Sequence, residues 1–166
     1  MPEKIKEITK LEKVVEERLQ KGKNRREIWE EFRSDKNEHK LLFLLNNMSY
    51  PNLRKIYQIP NLILATVLIF LTTKKLIAMF SFGRFDIFLL LQLVVPIINI
   101  YILKEILRFH RIGYQFLFVL SCLSLLQPEN HQPQEAILIV IMIGISGFLY
   151  LKMFPKNSLL QIELNT

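Results

Sequence analysis

The sequence predicts an all-α fold: a polytopic membrane protein of about four transmembrane helices preceded by a short cytoplasmic helical head. Three observations predict it. Charge is crowded at one end, with 14 of the 22 Lys and Arg and 10 of the 15 Asp and Glu ahead of Ile56. Four apolar runs fill the rest of the chain. Those runs read VLIFL, FLLLQLVV, FLFVL and ILIVIMIGI at their centres and are apolar all round, whereas a core helix of a soluble bundle keeps a polar stripe for water. The hydrophobic fraction of 51% and mean hydropathy of +0.24 would not decide the class by themselves. The distribution does.

Residues 1–55 form the expected head of two to three short helices. Ile5, Ile8, Leu11, Val15 and Leu19 recur at spacings of three and four, which predicts a helix from Glu3 to about Gln20. Gly22 fits the C′ position that ends it. Asn24 followed by Glu27 is a capping-box pattern for a second helix carrying Ile28, Trp29 and Phe32. The stretch from Asp35 to Glu38 repeats the start signal for a third, with Leu41, Leu42, Leu44 and Leu45, which stops near Pro51. That helix is too greasy to read base edges as a helix-turn-helix must. It is expected to bury its face on the first two helices, on the membrane or on a partner.

Residues 56–154 form the expected bundle, with spans at about 58–75, 85–104, 110–127 and 135–153, and residues 155–166 a short cytoplasmic tail. A span needs roughly 20 residues to cross a hydrocarbon core of about 30 Å. Lys74 and Lys75 each cost about 2.5–3.5 kcal/mol at the bilayer centre, so they mark the far boundary of the first span. The segment after them, to Phe82, is too short to cross again and reads as the helix end or an interfacial stretch.

Loop charge sets the orientation. With the N-terminus inside, inner segments carry 19 Lys and Arg and outer loops 3, which favours both termini in the cytoplasm, with the inner (plasma) membrane as the expected location. Tyr57, Tyr101, Tyr114 and Tyr150 fall at the inner boundaries, the depth that amphipathic rings prefer. The net charge of +7 is therefore chiefly topological, and no nucleic-acid partner is expected. The first twenty residues hold no continuous apolar stretch of the signal-peptide kind. The runs from Pro96 to Leu103, from Arg108 to Tyr114 and from Phe148 to Pro155 resemble in style small bacterial inner-membrane proteins, a likeness that implies no activity.

Candidate sites are few. Gln92 and Asn99 lie seven residues apart on one face of the second span, with Pro96 between them, and Gln115 lies in the third. Such amides line a polar intramembrane path or, more commonly, hold neighbouring helices together. Arg54, Lys55, Lys104, Arg108, His110 and Arg111 flank the inner boundary as candidate lipid-headgroup contacts. Gly144 and Gly147 make the fourth span locally small. His39, His110 and His131 fall in the head, an inner loop and an outer loop, so no shared metal site is expected. Cys122 stands alone in an apolar run. No nucleophile motif, phosphate loop or cofactor signature occurs. The leading expectation is a non-catalytic scaffold or accessory subunit that meets membrane lipid, or a protein partner, through its head. The rivals are a homo-oligomeric transporter, channel or holin-like pore, and a lipid-modifying enzyme using His110.

Overall fold

The computed structural model describes residues 2–34, 37–81, 87–126 and 133–160. It is all-helical, with no strand among the described residues. In order come α1 (Pro2–Gln20), α2 (Arg25–Phe32), α3 (Glu38–Asn47), α4 (Pro51–Ile56), α5 (Gln58–Ser81), α6 (Ile87–Leu107), α7 (Arg111–Ser124), α8 (Pro133–Met153) and a 3₁₀ turn (Lys156–Ser158). The one β-type contact among the described residues is an isolated antiparallel bridge between Met48 and His110.

The first helix ends as its sequence requires. Gly22 has φ +80°, Lys23 N–H donates to the Arg18 carbonyl at 3.2 Å and Gly22 N–H to Leu19 at 3.1 Å. This is the Schellman arrangement, which satisfies two orphan carbonyls at the cost of a left-handed residue. A Cβ at Gly22 would meet nothing within 4 Å, so Gly22→Ala isolates the backbone term. It should weaken the head by about 1 kcal/mol, read as roughly fivefold faster amide exchange in α1 and α2.

The start of α2 is Asn24, whose N–H donates to the Glu27 carboxylate at 3.4 Å. The cap of α3 is Asn37, two residues beyond the Asp35 that the repeated start signal indicates. Asn37 is held there because its Oδ1 accepts from Ser34 N–H at 2.9 Å and its Nδ2 donates to the Phe32 carbonyl at 3.1 Å. Its amide thus bridges the end of α2 to the start of α3.

Two hydrophobic clusters organise the chain. Val15 and Leu19 of α1, Ile28 and Trp29 of α2, Leu41 and Leu45 of α3, and Met48 fill the first. Of the three hosts open to the apolar face of α3, it takes α1 and α2. The second cluster joins Leu64 and Leu68 of α5, Ile102 and Ile106 of α6, Tyr114 and Leu117 of α7, and Leu149 and Met153 of α8. Each of these four helices packs on its chain neighbours, and α8 closes the ring on α5. After α8 the chain turns back to the head, where Asn46 exchanges two hydrogen bonds with the backbone of Leu160, at 2.9 and 3.0 Å.

The helix after α4 does not stop at the lysine pair. It continues through Lys74 and Lys75 to Ser81, so residues 76–81 are helix end. The helices α5 and α8, of 24 and 21 residues, are long and apolar enough to cross a membrane. Only 33% and 28% of their apolar windows are buried inside the protein. A soluble core helix would be covered over most of that length. The outer face of the ring is apolar too, with Ile59, Leu62, Ile97, Leu126 and Leu151 each more than 60% exposed.

Candidate functional site

The densest polar cluster lies where the head meets the bundle, around the turn from α6 to α7. That turn is a second Schellman motif, built without glycine. Phe109 N–H donates to the Ile106 carbonyl and His110 N–H to the Glu105 carbonyl, both at 2.9 Å, and Phe109 takes φ +56°. A side chain in the left-handed region costs about 1–2 kcal/mol. The packing of the Phe109 ring against the bundle core helps to hold it there.

The turn can be so tight because the next helix approaches closely. A Cβ on Gly113 would lie 2.9 Å from the Glu105 Cβ and 2.9 Å from the Ile106 backbone nitrogen. Glycine is therefore required by contact rather than by φ. Beneath this crossing a buried relay ties three helices together. Tyr114 donates to Asn61 Oδ1 at 2.6 Å, and Asn61 Nδ2 donates to the Ile106 carbonyl at 3.1 Å. Asn61 is 3% exposed and Tyr114 fully buried, so Tyr114 sits inside the bundle.

The head completes the turn. Asn47, the last residue of α3, accepts the Ile112 N–H at 2.9 Å and so caps α7 from another element. Arg25 is 1% exposed; it donates to the Met48 carbonyl at 2.8 Å and stacks 4.5 Å over the Tyr50 ring. Burial lowers its pKa, opposed by Tyr50 and reinforced by nearby Arg111. Replacing Asn47 by alanine should cost about 1 kcal/mol, an ordinary capping loss. It should loosen amides at the start of α7 while leaving those of α1 protected.

His110 stands at the centre, 4% exposed. Its Nδ1 is 2.7 Å from Glu105 Oε2 and its Nε2 is 3.6 Å from Glu12 Oε1, so carboxylates from the bundle and the head flank one ring. Glu12 also pairs with Arg108. One turn along α1, Glu16 pairs with Arg54 at 2.6 Å, and Arg54 Nε donates to the Ser49 hydroxyl at 3.1 Å. Glu105 lies just past the apolar span expected at 85–104, on the head side of it. The His110 hydrogen bond holds the Glu105 carboxyl below its usual value, against the opposing effect of burial. Glu12 raises the Arg108 guanidinium further above its own.

This placement revises the expected headgroup contacts. His110 is buried and faces protein. Arg54 and Arg108 are occupied by acids of α1. Arg111 donates to the Tyr150 hydroxyl at 3.0 Å and lies 5.6 Å over its ring. Lys55 and Lys104 stay exposed, and their ammonium groups make no hydrogen bond or ion pair to a described residue. The polar candidates do not converge. Asn99 donates to Thr72 Oγ1 at 3.0 Å, tying α6 to α5. Gln115 donates to the Tyr150 hydroxyl at 3.2 Å, near the head. The side chain of Gln92 and all of His131 lie outside the described residues. Gly147 packs against Phe118 of α7, whereas Gly144 faces open space. No group of three His, Cys, Asp or Glu among the described residues is set to hold a metal ion.

Glu105, Glu12, Asn47, Asn61 and Arg25 were not legible as site residues. One signal existed: Glu105 is the lone acid in the otherwise basic stretch from Lys104 to Arg111.

Fold and site together define a helical bundle bearing a small helical head locked to one end by buried polar contacts. No protein-family model, curated protein or solved structure matches the chain.

Proposed function

We propose that the chain is an integral membrane protein of four spans, α5 to α8, with the head and the C-terminal end in the cytoplasm, acting without catalysis as a scaffold or accessory subunit. The observation that carries this reading is the inverted surface of the bundle. All four helices turn large apolar side chains outward, and lipid tails tolerate that where water does not. The head has a hydrophobic cluster of its own, and two of its acids, Glu12 and Glu16, are paired with Arg108 and Arg54 at the joint. It is therefore carried as a fixed body at the membrane surface. Such a body suits a part that positions a partner better than one that closes over a substrate. Lys55 and Lys104 remain as the contacts for anionic headgroups, each worth about 1 kcal/mol near a charged surface.

The test uses single cysteines in a Cys122→Ser background. The protein should resist alkaline extraction from membranes. A Lys4→Cys variant should be labelled only from the cytoplasmic side and an Asn130→Cys variant only from the other. Labelling of both from one side overturns the orientation, and a monodisperse protein purified without detergent overturns the membrane assignment. Lys55→Gln with Lys104→Gln should lower the anionic lipid retained in mild detergent and leave insertion unchanged.

A further inference from the structure

A second polar feature lies in the bundle, at the end remote from the head. A cavity of about 250 Å³ is lined by all four helices, with Leu71 of α5, Ile98 of α6, Leu117 of α7 and Met142 of α8 among its walls. It exists because α7 is short. Its 14 residues rise about 21 Å, whereas the 24 residues of α5 rise about 36 Å. The three longer helices continue past the point where α7 ends.

The walls are apolar, but they carry a few polar groups. Ser121 is 3% exposed and its Oγ has no hydrogen-bond partner. A buried hydroxyl left without a partner is costly in an apolar setting. Asn99 adds its amide to the same wall. Lys75 and Glu135 also line the cavity. Glu135 is already engaged by Lys74 at 2.5 Å, and Lys75 has no acidic partner among the described residues. Among the described residues the cavity therefore carries one uncompensated positive charge. On its lining Val95 is 44% and Leu123 53% exposed, so it opens sideways between α6 and α7.

We infer that this cavity binds a single-chain anionic amphiphile, with its acyl chain among the leucines and its carboxylate at Lys75, on the lining that also carries Ser121 and Asn99. The inference rests on the proposal that the bundle spans a membrane, since the opening between α6 and α7 then faces lipid and admits the chain from the bilayer. Charge complementarity selects an anion, because a lone ammonium at a lipid boundary is costly until it is paired. The volume selects one chain over two, lying just below the range of drug-sized small-molecule sites at about 300–1,000 Å³.

The experiment uses the full chain in vesicles of zwitterionic lipid, with decanoate bearing a terminal diazirine as the probe. Photolysis should label peptides of α6 and α7. Unlabelled decanoate should compete, and decanol or decylamine should not. Lys75→Gln should reduce labelling about fivefold at a subsaturating probe concentration. Ser121→Phe, which fills the cavity, should abolish it. Equal competition by decanol, or full labelling of Lys75→Gln, overturns the charge assignment. Competition by phosphatidylglycerol as strong as by decanoate overturns the single-chain assignment. Vesicle flotation separates the two levels. Protein that floats with the vesicles but is not labelled sinks the cavity alone, and protein that does not float sinks the membrane reading beneath it.

Discussion

Replacing Gly113 by alanine should drive α6 and α7 apart and cost the bundle about 2–3 kcal/mol, at the upper end of ordinary overpacking. The added Cβ would sit 2.9 Å from a Cβ and 2.9 Å from a backbone nitrogen of α6, and neither atom belongs to a flexible side-chain end that could turn away. Relief must therefore come from moving a helix. That movement would stretch the relay from Tyr114 through Asn61 to the Ile106 carbonyl, which bridges the same crossing. Thermal unfolding in detergent is the measurement, with valine at the position worse than alanine. A Gly113→Ala protein as stable as the parent would mean that α6 and α7 do not approach as described. Gly147 offers a control of intermediate severity, because its added Cβ would meet Phe118 at 3.2 Å, a ring that can give slightly.

Glu105→Ala should cost a further amount of similar size, about 2–3 kcal/mol, and its effect should appear in the head. Removing this carboxylate leaves His110, 4% exposed, without the 2.7 Å contact at Nδ1. A buried polar group deprived of a charged hydrogen-bond partner suffers most of its desolvation penalty. Glu12 is too distant from the ring, at 3.6 Å, to replace that contact without rearrangement. Proteases should then cut the head from the bundle faster, at sites between Met48 and Gln58. Glu105→Gln, which keeps a hydrogen-bonding oxygen, should retain part of the protection.

The same pair gives a pH dependence with a definite sign. The folded Glu105 carboxyl lies below the ordinary value of 4.5, chiefly through its hydrogen bond to His110. A depressed carboxylate adds stability that is complete above the unfolded pKa and lost as pH falls through the folded one. Attachment of the head should therefore weaken below about pH 4.5, and Glu105→Gln should flatten that dependence. Gly113→Ala and Glu105→Ala are not independent, because the added methyl presses on the Glu105 Cβ itself. Their combined cost should fall short of additivity, as expected for residues in contact.

Much of the architecture was legible because it depends on local chemistry. The helical period of α1, the glycine that ends it and the Asn24–Glu27 start of α2 are written in residues a few positions apart, and the structure places each where that chemistry requires. The all-α class has a similar origin. Apolar runs uniform around the helix specify a helix whose outside stays apolar, and α5 and α8 have such surfaces.

The joint was not legible, because its partners are distant in sequence. Asn47 meets Ile112, Glu12 meets Arg108 and Asn61 meets Tyr114 only after the bundle has closed and the head has docked. Arg54, Arg108 and His110 read as a basic membrane-facing stripe while their counter-charges on α1 are out of view. Composition by itself determined that this chain is a charged helical head joined to an apolar helical bundle, because helix periodicity and side-chain hydropathy act over a few residues. Only the tertiary structure decided which charges pair and which stay free, because an ion pair or a trans cap depends on where two elements come to rest, and no sequence spacing encodes that distance.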